Sequence, residues 1–275
     1  MPELPEVETI RRQLVRTIKG QKIVDVEVRW GKRLIPGKSK FIAELKGRTI
    51  KDIKRRGKLM QIELSGGKSM FVHLKMTGQL LLKDKDAVAE KHAHVIFKLS
   101  GLKDLHWVDM RKFGFIKLMD ADEAEAYLAS WKFGPEPLAR GFTYVVFRDC
   151  LMHYPNAKIK PKLMEQTCVA GIGNIYAVEA LWAAKIHPLT KIKDIPEVKF
   201  KKLHRDIVRI LKDAVKTGGT SAANYFDAFG KAGGYEKKIK AYQQEGKPCQ
   251  HCGTKLIKLK VGGRGTVICP KCQKF

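Results

Sequence analysis

The sequence has no run of apolar residues approaching the roughly 20 that a membrane-spanning helix needs. It begins Met1-Pro2-Glu3-Leu4-Pro5-Glu6, an acidic and proline-rich start that lacks the basic and apolar regions of a signal or transit peptide. Cysteine is scarce as well, with six among 275 residues, which excludes a small disulfide scaffold. We therefore expect a soluble, intracellular protein.

Acidic residues are few compared with basic ones. The chain has 28 Asp and Glu against 54 Lys and Arg, a net charge of +26 at pH 7, while 44% of its residues are hydrophobic and can form a core. Self-repulsion of this size is tolerated when the partner is a polyanion. Nucleic acid is the first candidate for that partner, and an anionic membrane surface is the second.

Four of the six cysteines lie close to the C-terminus. Cys249, Cys252, Cys269 and Cys272 have the spacing C-x2-C-x16-C-x2-C, which in an intracellular chain predicts one tetrahedral Zn site. A redox-active pair is the alternative interpretation of these thiols. Cys150 and Cys168 stand alone among apolar residues, and we expect them to be small buried hydrophobic residues.

Hydrophobic periodicity divides the chain near residue 130. Before it, apolar residues at helical spacing from Val7 to Ile18 predict one helix, and Val24, Val26 and Val28 alternate as in a half-buried strand. Two hairpins follow, with turns at 65–67 and 100–101, so we expect a two-layer β domain. After residue 130 the patterns are mostly helical, with breaks at Pro155, Pro161, 171–173 and Pro188, and then a glycine-bounded loop over 218–234.

Two local features could carry chemistry. Removal of Met1 would leave Pro2 with a secondary amine, whose pKa near 8 makes it a better nucleophile at neutral pH than lysine. Glu3 beside it could transfer protons, although Pro and Glu at a chain start most often only begin a helix. The glycines at 171–176 could bind phosphate at a helix start, or serve only helix packing.

Two basic segments leave similar alternatives open. In Asp109-Met110-Arg111-Lys112-Phe113-Gly114 the side chains of Arg111 and Phe113 share a strand face and could enter a base stack, or simply end a strand. The basic run 54–58 is by default a solvated surface.

Six motifs occur together in one order. They are Met-Pro-Glu-Leu-Pro-Glu-Val-Glu-Thr at 1–9, Arg-Gly-Lys at 56–58, His-Leu-Lys-Met-Thr-Gly at 73–78, Asp-x-Arg-Lys-Phe-Gly at 109–114, Ala-Gly-Ile-Gly-Asn-Ile-Tyr-Ala at 170–177 and Arg-Gly-Thr-x-x-Cys-Pro-x-Cys-Gln at 264–273. In this combination the chain resembles the bacterial formamidopyrimidine-DNA glycosylases, which are 8-oxoguanine glycosylases and AP lyases. The resemblance runs from Pro2 to Gln273.

The resemblance implies an α+β fold of two lobes. It predicts a catalytic β-sandwich with a leading helix over 2–131, a helical helix–two-turn–helix domain over 132–236 and a zinc finger over 237–275, with one structural Zn. The implied partner is double-stranded DNA with damaged bases, bound in the cleft by a monomer without any membrane association. The implied location is the bacterial cytoplasm, at the nucleoid.

The resemblance also implies roles for individual residues. Pro2 would attack C1′ of the damaged nucleotide, Glu3 would act as acid and base, and Lys58 and Arg264 would assist β- and δ-elimination while contacting phosphate. The residues implied in DNA binding are His73, Met76, His92, Arg111, Phe113, Lys160 and Asn174, and among them Met76, Arg111 and Phe113 would fill the space left by a flipped base.

Two departures from the family pattern leave the preferred base open. Ala223 stands where the family commonly has an arginine, and the segment 154–157 is less basic than the family's lysine-rich run. The alternatives are the sister branch that acts on oxidised pyrimidines, a non-catalytic zinc-dependent DNA-binding protein and an RNA-binding zinc-ribbon protein. Leu4 favours the purine branch, and the presence of both Pro2 and Glu3 argues against the non-catalytic proteins.

Overall fold

The computed structural model describes residues 1–85, 87–221 and 225–275. Its helices and strands divide between an N-terminal unit, Met1–Trp131 with Thr217–Gly234, and a C-terminal unit, Lys132–Lys216 with Tyr235–Phe275. The α+β class is therefore confirmed. The segment 217–234, assigned above to the helical domain, belongs to the N-terminal unit, and the three-domain division stays a prediction.

Among its described residues the N-terminal unit contains three helices and nine strands. The helices are α1 Leu4–Ile18, α2 Lys38–Leu45 and α3 Ala121–Ser130. The strands are β1 Ile23–Val28, β2 Leu34–Ile35, β3 Ile50–Arg56, β4 Leu59–Leu64, β5 Lys68–His73, β6 Gly78–Asp84, β7 Ala93–Leu99, β8 Lys103–Asp109 and β9 Phe115–Asp120. Only the first helix is predicted by periodicity, because α2 and α3 are short and bury few residues.

Two sheets share one hydrophobic core. The first has the strand order β1-β7-β8-β6 and the second the order β2-β9-β5-β4-β3. Trp107 of the first sheet, Ile62 of the second and Ile10 of α1 are all fully buried in the same cluster. This arrangement confirms the two-layer β domain with a leading helix.

A β-bulge in β1 places Val24 on the opposite face from Val26 and Val28, whereas alternation predicts one shared face. The register with β7 shifts between Ile23 and Asp25, so Val24 is 49% exposed while Val26 and Val28 remain buried. One extra residue in a strand reverses the side-chain alternation on one side of it. Strict alternation of three valines could not reveal this.

The C-terminal unit is helical except for one hairpin. Its elements are α4 Tyr144–Met152, α5 Ile159–Met164, α6 Asn174–Ala183, α7 Glu197–Lys216, β10 Ile257–Val261 and β11 Arg264–Ile268. Pro161 was expected to break a helix, but it lies in the first turn of α5, where the missing N–H has no intrahelical acceptor to lose. Among the described residues no helix is long and apolar enough to cross a membrane.

Candidate functional site

The start of α1 fixes the N-terminus. The backbone N–H of Glu3 donates to Glu6 Oε2 at 2.7 Å, and Glu6 Oε1 accepts the N–H of Thr220 at 2.9 Å. Both carboxylates are buried, at 2% and 1% exposure. The second residue, Pro2, is buried as well, whereas Met1 is 37% exposed. Glu6 therefore joins the chain start to the loop that begins at residue 217.

The N-terminal amine of Met1 is partly buried among charged side chains. Burial lowers the pKa of the Met1 amine below its ordinary value, and the charges of Lys58 and Arg111 lower it too, against the opposing effect of Glu3 and Glu6. A lower pKa leaves more of the amine as free base at neutral pH, which a nucleophile requires. The structure thus brings Lys58, Arg111 and both carboxylates within electrostatic range of one amine.

Strand pairing explains why these side chains converge. Leu59 pairs with His73, and His73 pairs with Phe115, so the turn bearing Lys58 and the ends of β5 and β9 share one edge of the second sheet. In the first sheet Gly78 pairs with Asp109, which places Met76 and Arg111 just beyond adjacent strand ends. Lys58 is 6% exposed and lies in a hairpin turn where Gly57 has a φ of +56°.

His73 is a buried, uncharged histidine. Burial above all, with Lys75 and Lys58 nearby, lowers the pKa of its imidazole to about 3. Its Nδ1 accepts the N–H of Lys75 at 3.0 Å, and its ring stacks on Trp131 at 5.8 Å. These contacts fix the turn before Met76, and the predicted DNA contact of His73 itself stays a prediction.

Met76, Arg111 and Phe113 project from two turns that Asp109 holds together. Met76 and Phe113 are 40% and 45% exposed, and the Arg111 guanidinium lies 4.8 Å from the Phe113 ring centre. Asp109 is fully buried, and its carboxylate accepts from the Thr77 hydroxyl and from the N–H groups of Arg111 and Gly114. A carboxylate that accepts several local donors makes such turns rigid.

Sequence reasoning quoted Asp109 but gave it no role. The available signal is an aspartate at the start of a turn, where its carboxylate typically accepts the backbone N–H two residues on, as it does here from Arg111. Space at Gly114 is tight, because a Cβ atom there would lie 3.1 Å from both the Asp109 carboxylate and the His73 carbonyl.

His92 is half-buried beside the same turns. Its carbonyl accepts the N–H of Asp109 at 3.0 Å. The residue helps to line a cavity of about 350 Å³ together with Thr77, Met110 and Phe226. A DNA contact by the His92 imidazole stays a prediction.

A second group of predicted residues meets in the C-terminal unit. Lys160 is 0% exposed and donates to Asn174 Oδ1 at 2.6 Å, while Asn174 Nδ2 donates to the carbonyl of Gly265 at 3.0 Å. Gly265 follows Arg264, which is exposed next to the Gly262-Gly263 turn of the β10–β11 hairpin. The first residue of α6 therefore joins Lys160 to the hairpin that carries Arg264.

The four C-terminal cysteines fit one zinc ion. Four thiolates bound at about 2.3 Å to a tetrahedral Zn lie roughly 3.8 Å from one another. The four Sγ atoms lie within 4.8 Å of one another, and those of Cys252 and Cys269 are 3.5 Å apart. Cys249, Cys252, Cys269 and Cys272 would hold the ion and thereby order both ends of the hairpin.

Two buried polar side chains that sequence reasoning missed support this zinc segment. Gln273 accepts the N–H of Cys269 at 2.9 Å and donates to the carbonyl of Ile186 at 2.8 Å. Glu179 of α6 accepts three successive backbone N–H groups, from Lys240 to Tyr242, at 2.8–3.0 Å. Burial raises the pKa of Glu179, and the three N–H donors oppose this.

Ala223, which stands where the family commonly has an arginine, lies outside the described residues. Cys168 is buried at 1% as expected, but Cys150 is only half-buried, and the two do not stand alone, because their sulfurs are 3.5 Å apart.

The chain is similar to known proteins along its length. The chain matches the Formamidopyrimidine-DNA glycosylase N-terminal domain over residues 1–116, the Formamidopyrimidine-DNA glycosylase H2TH domain over 133–225 and the zinc finger found in FPG and IleRS over 246–274. Formamidopyrimidine-DNA glycosylase of Streptococcus thermophilus is 40% identical over 274 residues, with 100% of both chains covered.

Solved structures of Lactococcus lactis FPG are similar as well. A mutant in complex with DNA containing Fapy-dG superimposes with a TM-score of 0.93 at 40% identity, covering 100% of both chains. The wild-type protein in complex with DNA containing an oxidised pyrimidine gives a TM-score of 0.92 at 40% identity, again over 100% of both chains.

Proposed function

The chain belongs to the formamidopyrimidine-DNA glycosylase family, and we propose that it is a base-excision-repair DNA glycosylase acting on oxidised purines in double-stranded DNA. Its substrates are 8-oxoguanine and the formamidopyrimidines. We also propose an AP lyase activity that cleaves the strand after base loss by β,δ-elimination. The observation that carries the proposal is the buried Pro2-Glu3 chain start, where the adjacent Met1 amine lies within electrostatic range of Glu3, Lys58 and Arg111.

Covalent catalysis begins once Met1 has been removed. The lone pair of the Pro2 nitrogen attacks C1′ of the damaged nucleotide, and the base leaves with the glycosidic electron pair and a proton. The amine nitrogen loses its proton, its lone pair expels O4′ from C1′, and the ring oxygen takes up a proton as the sugar ring opens. The resulting iminium carries a positive charge and so acidifies the 2′ proton. Loss of that proton expels the 3′ phosphate. The buried carboxyl group of Glu3 is placed to move protons in these steps.

Two cations assist strand cleavage. Lys58 at the sheet edge donates to the departing 3′ phosphate, and Arg264 on the exposed hairpin turn contacts phosphate during the second elimination. Both sites favour a cation that stays charged, since each must stabilise phosphate oxygens. The Zn ion supplies no chemistry in this scheme and serves to hold the hairpin in shape.

DNA binding uses residues of both units. Met76 and Phe113 replace the flipped nucleotide in the stack and Arg111 hydrogen-bonds its partner base, because an unstacked gap costs a few kcal/mol. Lys160 supports Asn174, whose amide contacts backbone phosphate, and His73 and His92 complete the proposed DNA-binding set. The protein acts as a monomer at the nucleoid in the cytoplasm.

One comparison favours including oxidised pyrimidines as substrates in the test. A structural neighbour, Lactococcus lactis FPG, has been crystallised with DNA containing an oxidised pyrimidine. Duplexes carrying 8-oxoguanine, a formamidopyrimidine, an oxidised pyrimidine or no lesion should be incubated with the zinc-loaded protein, and incision followed with time. We expect incision of both purine lesions to exceed that of the undamaged duplex by orders of magnitude. No incision of any lesion would overturn the proposal, and fastest incision of the pyrimidine lesion would assign the chain to the sister branch.

A further inference from the structure

The sulfur atoms of Cys150 and Cys168 touch in the C-terminal unit, although neither belongs to the zinc set. Cys150 lies near the end of α4, Cys168 lies between α5 and α6, and their Sγ atoms are 3.5 Å apart. Each thiol also faces the other residue's backbone, since Cys150 Sγ donates to the Cys168 carbonyl at 3.0 Å and Cys168 Sγ donates to the Cys150 carbonyl at 3.6 Å. The two backbone segments are therefore already side by side.

We propose that Cys150 and Cys168 form a peroxide-oxidisable dithiol, a redox modification site separate from the zinc centre, that closes to a disulfide. Bond formation needs the sulfurs to approach by about 1.5 Å, to the usual disulfide length near 2.05 Å. Rotation about the Cα–Cβ bonds can supply much of that distance. The substrate is a small hydroperoxide, of which hydrogen peroxide is the simplest.

The two thiols have different environments, and this sets the order of events. Cys150 is half-buried, so peroxide can reach it, whereas Cys168 is 1% exposed. Burial, followed by the neighbouring Cys150, raises the pKa of the Cys168 thiol to about 12. A buried thiol that stays protonated reacts slowly with peroxide. Cys150 is therefore the thiol that peroxide oxidises first.

The reaction balances in two steps. The Cys150 thiolate attacks one peroxide oxygen, the O–O bond breaks, and hydroxide leaves and takes up a proton, giving a sulfenic acid and water. The Cys168 sulfur then attacks the Cys150 sulfur, the S–O bond breaks, and the departing hydroxide takes the Cys168 proton as a second water. Sulfur loses two electrons in total and the peroxide gains them.

The bridge would tether the segment that precedes the phosphate-binding residues. It closes the chain between positions 18 apart in sequence, a loop that contains α5 and Lys160. Cys168 also lies only three residues before Gly171, whose N–H is fixed by the Gln166 side chain at 2.8 Å. Oxidation should therefore stiffen the approach to Asn174. Any effect on DNA affinity rests on the proposed function, whereas formation of the bond does not.

The test uses full-length, zinc-loaded protein treated with increasing hydrogen peroxide. The wild type should lose about 2 Da, the mass of two hydrogens, before any zinc is released. Peptide mapping should link the Cys150 and Cys168 peptides, and dithiothreitol should restore the original mass. Cys150→Ser and Cys168→Ser should each show no such loss, while keeping one Zn and the wild-type circular dichroism spectrum.

Thermal unfolding provides a second test of the disulfide. The oxidised wild type should unfold at a higher temperature than the reduced protein, and that increase should be absent from both serine variants. Oxygen adducts on Cys150 without a cross-link would overturn the proposal, as would zinc release that precedes the mass loss. A wild type that cross-links but does not incise lesions would uphold this inference and refute the proposed function.

Discussion

Lys160 Nζ donates to Asn174 Oδ1 across 2.6 Å, and Lys160 is completely buried. A buried ammonium requires hydrogen-bond acceptors, so this contact fixes the amide orientation as much as it stabilises the lysine. With the Asn174 oxygen occupied by Lys160, the amide nitrogen points to the Gly265 carbonyl. The contact makes Lys160 a positioning residue in the unbound protein.

Lys160→Met and Asn174→Ala should each weaken binding to abasic duplex by about tenfold, or 1.4 kcal/mol. Because both changes remove one shared contact, the double variant should lose less than the sum, with a coupling of at least about 0.5 kcal/mol. Lys158→Met is the control, since it removes the same charge at an exposed position nearby. Full additivity in titrations at fixed salt would show that the two residues act independently.

The pH dependence of borohydride trapping should report the pKa of the Pro2 amine. Burial lowers the pKa of the Met1 amine, and the adjacent Pro2 is buried as well. We therefore expect borohydride trapping by the Pro2 amine on abasic DNA to rise with pH to a plateau, with its midpoint below the ordinary value of about 8. Peptide mapping should place the adduct on Pro2.

N-terminally acetylated protein is the control for this trapping experiment. Acetylation removes the nucleophile and leaves Lys58 intact, so trapping should vanish. Persistent trapping with acetylated protein, or a midpoint near 10, would indicate that a lysine forms the iminium instead.

Sequence reasoning found residues whose identity is restricted by chemistry. The cysteine pairs and the Pro2-Glu3 start are visible because few other residues serve there. Val24 shows the limit of such patterns, since the bulge that exposes it depends on pairing with β7 rather than on local sequence.

Contacts between distant segments could not be predicted from one sequence. Gln273 bonds to Ile186 and Glu6 bonds to Thr220, across 87 and 214 positions. In each bond the partner of the side chain is a backbone group, the Ile186 carbonyl or the Thr220 N–H. Backbone groups occur in every residue type, so no residue pattern marks the partner.

Gln273→Ala should destabilise the C-terminal unit by about 2 kcal/mol or more, because it leaves the buried N–H of Cys269 and carbonyl of Ile186 without a partner. Zinc should stay bound at one ion per chain, since no thiol is removed. Cys272→Ser, in contrast, should lose the ion and weaken DNA binding. Urea unfolding combined with zinc analysis distinguishes the Gln273→Ala and Cys272→Ser variants. Gln250→Ala, at an exposed position of the same zinc segment, is the control and should match the wild type in both measurements.

His73 should make stability fall in mild acid. The pKa of its imidazole is about 3 in the folded protein and near 6.5 when unfolded. Between these values the unfolded chain binds more protons, so stability rises with pH across this window and is lost as pH falls. His73→Asn keeps an acceptor for the Lys75 N–H and should reduce the loss between pH 7 and 4.5 by about 2 kcal/mol. Parallel stability curves for the two proteins would show that His73 does not carry this dependence.

Phe113 should matter most when a base must be extruded. Its ring is 45% exposed beside the Arg111 guanidinium, on a turn that the buried Asp109 carboxylate makes rigid. Phe113→Ala should slow excision of 8-oxoguanine by about tenfold or more, because filling the gap in the stack offsets a few kcal/mol of unstacking. Cleavage of a preformed abasic site, where extrusion costs less, should slow by a much smaller factor. Single-turnover rates on both substrates provide the comparison, and Phe275→Ala, which removes a more exposed ring at the C-terminus, is the control. If both reactions slow equally, Phe113 contributes to general DNA binding and does not fill the gap left by the flipped base.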